Sequence, residues 1–138
     1  MKKLLFTLVL SSTVFFSHAQ TKSTEKFYQL GGVLMESYYA MNFSLQFSNS
    51  LSDCPDVLKR KLKTLCDTLQ ACIDRDKPRL AEKLSEQDIK DLEFQLWNYK
   101  EFAKTRNKDI RPLEMNSLKL WIKIARVSVE RLFILLMN

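Results

Sequence analysis

Few residues in this chain could do chemistry. It carries three cysteines, Cys54, Cys66 and Cys72, and a single histidine, His18. Thiolates bind metals or exchange disulfides, and an imidazole beside a thiol or hydroxyl makes it a nucleophile. Carboxylates at helical spacing, Glu82 with Glu86 and Asp88 with Asp91, are raw material for acid–base hydrolysis, which needs no histidine. Each set also has a purely structural reading. Cys66 and Cys72 fall on one expected helix, about 9 Å apart along its axis and pointing in different directions. A disulfide needs Cα atoms within about 7 Å, so no pair closes while that helix is intact. The thiols are then small buried hydrophobes. The alternative is a broken helix, one closed pair and a third thiol left for a partner chain. Three thiolates on one helix make a poor metal set, and no metal or cofactor is expected. Sixteen acidic residues in a helical chain produce acid pairs by chance. A carboxylate-based envelope hydrolase is therefore the third functional reading, behind two that involve binding.

His18 belongs to a segment that reads as an export signal. Lys2 and Lys3 form a basic start, Leu4 to Phe16 an apolar stretch, and Ser17-His18-Ala19 a small-x-small cleavage site ahead of Gln20. The expected division is a signal peptide over 1–19 and one domain over 20–138, with an uncleaved N-terminal anchor as the alternative. After cleavage no histidine remains. That removes Ser-His-Asp and Cys-His catalysis, and His-ligated zinc, copper or haem. There is no Gly-rich phosphate loop or dinucleotide pattern. Losing Lys2 and Lys3 leaves 20 Lys+Arg against 16 Asp+Glu, a net charge of +4 in place of +6. So small an excess argues against nucleic acid. It leaves open contact with an acidic partner or an anionic membrane surface. The lysine-led, compact signal looks bacterial and implies a periplasmic or secreted protein.

Any site must be positioned by helices. The first is expected from about Glu25 to Phe47, with Phe27, Leu30, Leu34, Tyr38, Met41 and Leu45 as its core stripe. Gly31-Gly32 within it implies a kink, a close approach by another helix, or a helix that begins after Gly32. The second opens at Ser52-Asp53-Cys54-Pro55 and ends at Pro78, with Pro78 to Leu84 as a candidate short helical turn. Leu58, Leu62, Leu65, Leu69 and Cys72 are its stripe, and Lys59, Arg60, Lys61 and Lys63 its wet side. Ser85-Glu86-Gln87-Asp88 reads as a capping box for the third, which runs to about Arg106 on Ile89, Leu92, Leu96, Tyr99 and Ala103. Pro112 starts the last.

From Leu118 to Met137 the last helix is mostly apolar, and Lys119, Lys123, Arg126 and Glu130 lie on one narrow stripe. It therefore reads as the wrapped centre of the fold, and as too charged to span a membrane. The stripe stops after Glu130, where Phe133, Ile134 and Met137 occupy positions that register would make wet. Either a loop covers them (residues 48–54 or the Pro78 turn) or they meet another molecule. No strand alternation or hairpin signal occurs, and the connections are short. The expected fold is an all-α, up-and-down four-helix bundle.

Two apolar groups are the candidate binding residues. One is Tyr39, Phe43 and Phe47, a second face of the first helix that is otherwise explained by a helix sandwiched between two neighbours. The other is Phe133, Ile134 and Met137. Together they suggest an exported, non-enzymatic protein that binds another protein, as an inhibitor, immunity factor or adaptor. A carrier holding an apolar ligand between helices, lined by the same aromatics, is the runner-up. The basic run at Lys59 reads as a solvated face, or as a contact for an acidic partner or anionic lipid.

Overall fold

The computed structural model describes residues 26–49 and 54–138. Residues 1–25, with the expected signal over 1–19 and His18, the 50–53 connection and the Cys54 side chain lie outside the described residues. Four helices make up the described chain: α1 Tyr28–Gln46, α2 Cys54–Leu80, α3 Glu86–Lys104 and α4 Pro112–Met137. A 3-10 turn, Asn107–Asp109, joins the last two. No strand occurs among the described residues.

α1 forms because apolar residues recur every three or four positions, and all six members of its stripe, Phe27 to Leu45, are buried. It runs unbroken through both glycines. Its start is tied to the end of α4, where the Phe27 amide donates to the Leu136 carbonyl at 2.9 Å. Further along, the Tyr38 hydroxyl donates to the Ile122 carbonyl at 3.4 Å. The two helices therefore run antiparallel. On the other side, Ser44 Oγ donates to the Pro55 carbonyl at 3.1 Å and Arg75 Nη1 to Gln29 Oε1 at 2.8 Å. These bonds set α1 antiparallel to α2. α1 thus lies between α2 and α4.

Gly31 explains how α4 comes so near. A Cβ built on Gly31 would stand 3.0 Å from Met137 Sδ and 3.5 Å from Phe133 Cδ2, whereas one on Gly32 meets nothing within 4 Å. Of the three readings of the glycine pair, close approach is the one that holds. It also covers part of the α4 tip: Phe133 and Met137 rest on α1 at Gly31, and no loop is needed. Ile134 stays exposed.

α2 extends past its expected end. Pro78 sits in its last turn, so the missing amide hydrogen costs one bond where the helix is about to stop. Leu80 then ends it, its carbonyl accepting from the amides of Lys83 and Leu84 at 2.9 and 2.7 Å. Buried Asp76 is held by Arg75 at 2.8 Å and Arg79 at 2.5 Å, and hydrogen bonding to Arg75 keeps its carboxyl below the usual range. Cys66 and Cys72 are free, buried thiols on this unbroken helix, so the broken-helix disulfide does not form between them.

α3 begins with the expected capping box: the Asp88 amide donates to Ser85 Oγ and the Ser85 amide to Asp88 Oδ2, both at 3.1 Å. Lys77 to Glu93 at 2.9 Å and Lys100 to Gln70 at 2.7 Å join it to α2.

α4 corrects the expectation that the last helix is the wrapped centre. Met115, Ile122, Val129 and Leu136, spaced by seven, are buried. Leu113, Leu120, Val127 and Ile134, also spaced by seven but two residues earlier, are exposed. Two residues turn a helix by about 200°, so these stripes face opposite ways. The wrapped helix is α1.

The glycine geometry makes a paired prediction. Gly32→Ala should raise stability by about 0.5–1 kcal/mol, because open space receives the methyl group and the helix interior loses a glycine. Gly31→Leu should lower stability by displacing Met137 and Phe133. Urea denaturation of both variants checks this, and a Gly31→Leu chain as stable as wild type would contradict the close approach.

Candidate binding surface on the first and last helices

The sequence candidates on α1 lie at the surface. Tyr39, Phe43 and Phe47 are all exposed. Tyr39 and Phe43 stack with ring centroids 5.9 Å apart, and Tyr38 meets Tyr39 edge-on at 5.4 Å. The expectation that a second neighbour covers this face does not hold: α2 and α4 take the inner sides, and these rings face outward. The other candidates, Phe133, Ile134 and Met137, sit at the far end of the helix pair. Gly31 beneath them is about 18 Å along α1 from Phe43. The two groups are therefore not one patch.

A third apolar feature is one that sequence reasoning placed in the interior. The outer stripe of α4 is exposed over most of its length: Leu113 78 %, Leu120 61 %, Ile124 65 %, Val127 72 % and Ile134 56 %. The repeat by seven was the available signal, since a second stripe of that period needs a cover of its own. On the α3 side, Phe94 and Trp97 are exposed and stacked at 6.2 Å.

Two grooves run beside this stripe. The first, about 470 Å³, lies between α1 and α4 and is lined by Tyr38, Asn42, Leu45, Gln46, Lys119, Ile122, Lys123 and Arg126. Its lining holds three cations and no carboxylate. Arg126 is engaged by Glu130 at 2.7 Å, one turn on. Burial pushes the Tyr38 phenol up, with Arg126 pulling the other way. The second groove, about 540 Å³, lies between α3 and α4. Trp97, Phe102, Ile110, Leu113, Leu118 and Trp121 give it apolar walls, and Glu101 and Glu114 stand at its edge. Those acids are occupied by Lys104 at 3.0 Å and Arg111 at 2.5 Å. This apolar groove contains none of Tyr39, Phe43 and Phe47.

The chemical candidates have structural employment. Asp88 and Asp91 both face Arg131 of α4, at 2.6 and 3.5 Å, and Asp88 also caps α3. Glu86 pairs with Lys90 at 2.8 Å. Burial pushes the Cys66 thiol up to about 11 and raises Cys72 as well, which keeps both protonated and poorly nucleophilic. No cluster of three or more His, Cys, Asp or Glu suited to a metal occurs among the described residues. No described helix is long and apolar enough to cross a membrane.

The basic run departs from its reading as a solvated face at one position. Lys59 is only 6 % exposed. Its ammonium donates to the Thr105 carbonyl at the end of α3 and lies 4.1 Å from the Phe102 ring centroid. A cation at a helix C-terminus meets the negative end of the dipole. Burial nonetheless pulls its pKa down from 10.5 to about 8, against the pull of Asp56 and Asp109. Arg60, Lys61 and Lys63 remain exposed.

A lowered lysine pKa means the unfolded chain holds this proton more tightly. The penalty is present below pH of about 8 and is relieved as pH rises towards 10.5. Wild type should therefore gain stability relative to Lys59→Met across that window and show a constant difference below it. Urea denaturation of both proteins over that pH range is the check; a difference that never changes would contradict the buried charge.

Compared with known protein families, curated proteins and solved structures, the chain matches none of them.

Proposed function

We propose that this chain is an exported, non-enzymatic binding protein. In this reading a signal over residues 1–19 is removed in the periplasm or during secretion. The remainder is a rigid up-and-down four-helix bundle that engages another protein, in the manner of an inhibitor, immunity factor or adaptor. The observation that carries the reading is the outer face of α4. Five large aliphatic side chains stand in solvent on one helix stripe, and Tyr39, Phe43 and Phe47 stand in solvent on the neighbouring helix. Exposed apolar surface of this kind marks interaction sites. Asp88, Asp91, Glu86, the Cys66 and Cys72 thiols and buried Lys59 meanwhile have packing, capping or ion-pair roles. A membrane-surface contact is a weaker form of the same reading, because the cations beside the stripe would also meet anionic headgroups.

The groove between α3 and α4 favours a second reading, a carrier of an apolar ligand. Its two tryptophans and aliphatic walls suit a lipid-like molecule. Native mass spectra of freshly purified protein separate the readings: bound lipid-like mass supports the carrier, and the bare chain mass opposes it.

The leading reading is tested with a partner captured by the mature chain from its own cell envelope. Alanine at Tyr39, Phe43 and Phe47, or at Leu120, Ile124 and Val127, should weaken that partner at least about tenfold, since central apolar anchors carry most of an interface's energy. Affinity unchanged by both sets would remove this surface from the proposal.

A further inference from the structure

We infer that the occupant of this surface is a helix of another protein with an acidic edge, laid along α4. The inference rests on the binding-protein reading and names the chemistry of its partner. Three observations point to it. First, the exposed stripe repeats every seven residues, Leu113, Leu120, Val127 and Ile134, with Ile124 beside it. A helix-on-helix seam also needs a second apolar position in each heptad; Ile124 supplies it at the centre, between Ser117 and Arg131, so the seam is over Leu120, Ile124 and Val127, with flanking charged positions to choose the partner. Second, the flank toward α1 is cationic. Lys119 and Lys123 line the 470 Å³ groove, and neither has a carboxylate partner among the described residues. Arg126 adds a third cation, partly offset by Glu130. Third, the opposite wall is neutral and hydrogen-bonding, formed by Asn42 and Gln46, with the exposed Tyr39 and Phe43 rings next outward on α1.

A helix with leucines on one stripe and glutamates along one edge satisfies all three. Its apolar residues cover Leu120, Ile124 and Val127, and its carboxylates reach Lys119 and Lys123. Charge complementarity also selects against an antiparallel second copy of this chain. The cationic cluster sits at the middle of the stripe on one flank, so a copy laid antiparallel along it brings like charges together. A bilayer supplies negative charge but is flat, whereas these lysines line a concave channel between two helices.

The test uses the folded mature chain and three probes. They are a synthetic helical peptide with a leucine stripe and glutamate edge, the same peptide with lysine for glutamate, and phosphatidylglycerol vesicles. Labelled-peptide anisotropy gives affinity, and amide chemical shifts locate the contact. The acidic peptide should bind at least roughly tenfold more tightly than the basic one and weaken as salt is raised. It should shift the Asn42, Lys119 and Lys123 amides. Lys119→Glu with Lys123→Glu should abolish the preference and Phe43→Ala should weaken binding, while Lys61→Glu on α2 should do neither. Circular dichroism checks each fold, and Lys119→Ala with Lys123→Ala serves if charge reversal unfolds the chain. Equal affinity for both peptides, no binding of either, or capture by vesicles alone overturns the acidic-helix inference. Equal affinity that still depends on Phe43 and Leu120 leaves the binding-protein reading standing. Loss of that dependence for the captured envelope partner as well removes both.

Discussion

The rest of the structure depends on α1 being gripped by two antiparallel neighbours at once. A helix held on two sides can be approached closely only where its side chains are small, and Gly31, Ser37, Ala40 and Ser44 are the buried small residues of α1. Gly31 admits Met137 and Phe133 of α4. The buried serines do not leave open polar groups, because Ser37 Oγ donates to the Val33 carbonyl at 2.7 Å and Ser44 Oγ to Pro55. This grip decides the fate of α4. Its stripe through Ile122 and Val129 is spent on α1, and with α3 taking only one flank, the opposite stripe is left in water. The exposed face is therefore a consequence of how the core closes.

Much of the fold was legible because it rests on local rules. The core stripe of α1, the capping box at Ser85 and Asp88, and the burial of Cys66 and Cys72 follow from spacing and residue type. For α2 a proline reads as a stop with a short turn beyond it; the helix instead runs on to Leu80, because in a last turn the proline costs only one hydrogen bond. The candidate site was legible in part. Tyr39, Phe43 and Phe47 could be picked out as a second face, but their exposure depends on which sides of α1 the neighbours take. α4 was misread for a stronger reason. It carries two apolar stripes of equal period on opposite sides, and periodicity cannot say which one is covered. The α4 tip follows a similar logic: Phe133 and Met137 need a seat, and the seat is a glycine about a hundred residues earlier in the chain. Lys59 was unreadable from its neighbours in sequence, since only the end of α3 turns it inward.

The charges and the apolar residues describe one surface from two directions. Many ionic groups are paired, as with Asp76 between Arg75 and Arg79 on α2 or Arg131 of α4 with Asp88 of α3. Lys119 and Lys123 have no carboxylate partner among the described residues, and they border the exposed apolar stripe of α4. A preformed face on a rigid helix pair loses little freedom when it binds, which favours affinity without rearrangement.

Solvent access along α4 tests this most directly. Single cysteines at Ile124→Cys and Ile122→Cys, in a Cys54→Ser background, can be labelled with a maleimide in the native state, with buried Cys66 and Cys72 as internal references. The structure predicts that Ile124→Cys reacts like a free thiol while Ile122→Cys reacts only as fast as the chain opens, and that a bound partner slows the first alone. Protection of Ile124→Cys in the isolated chain, equal to that of Ile122→Cys, would mean the outer stripe is already covered and would contradict the assignment of α4 as the open face.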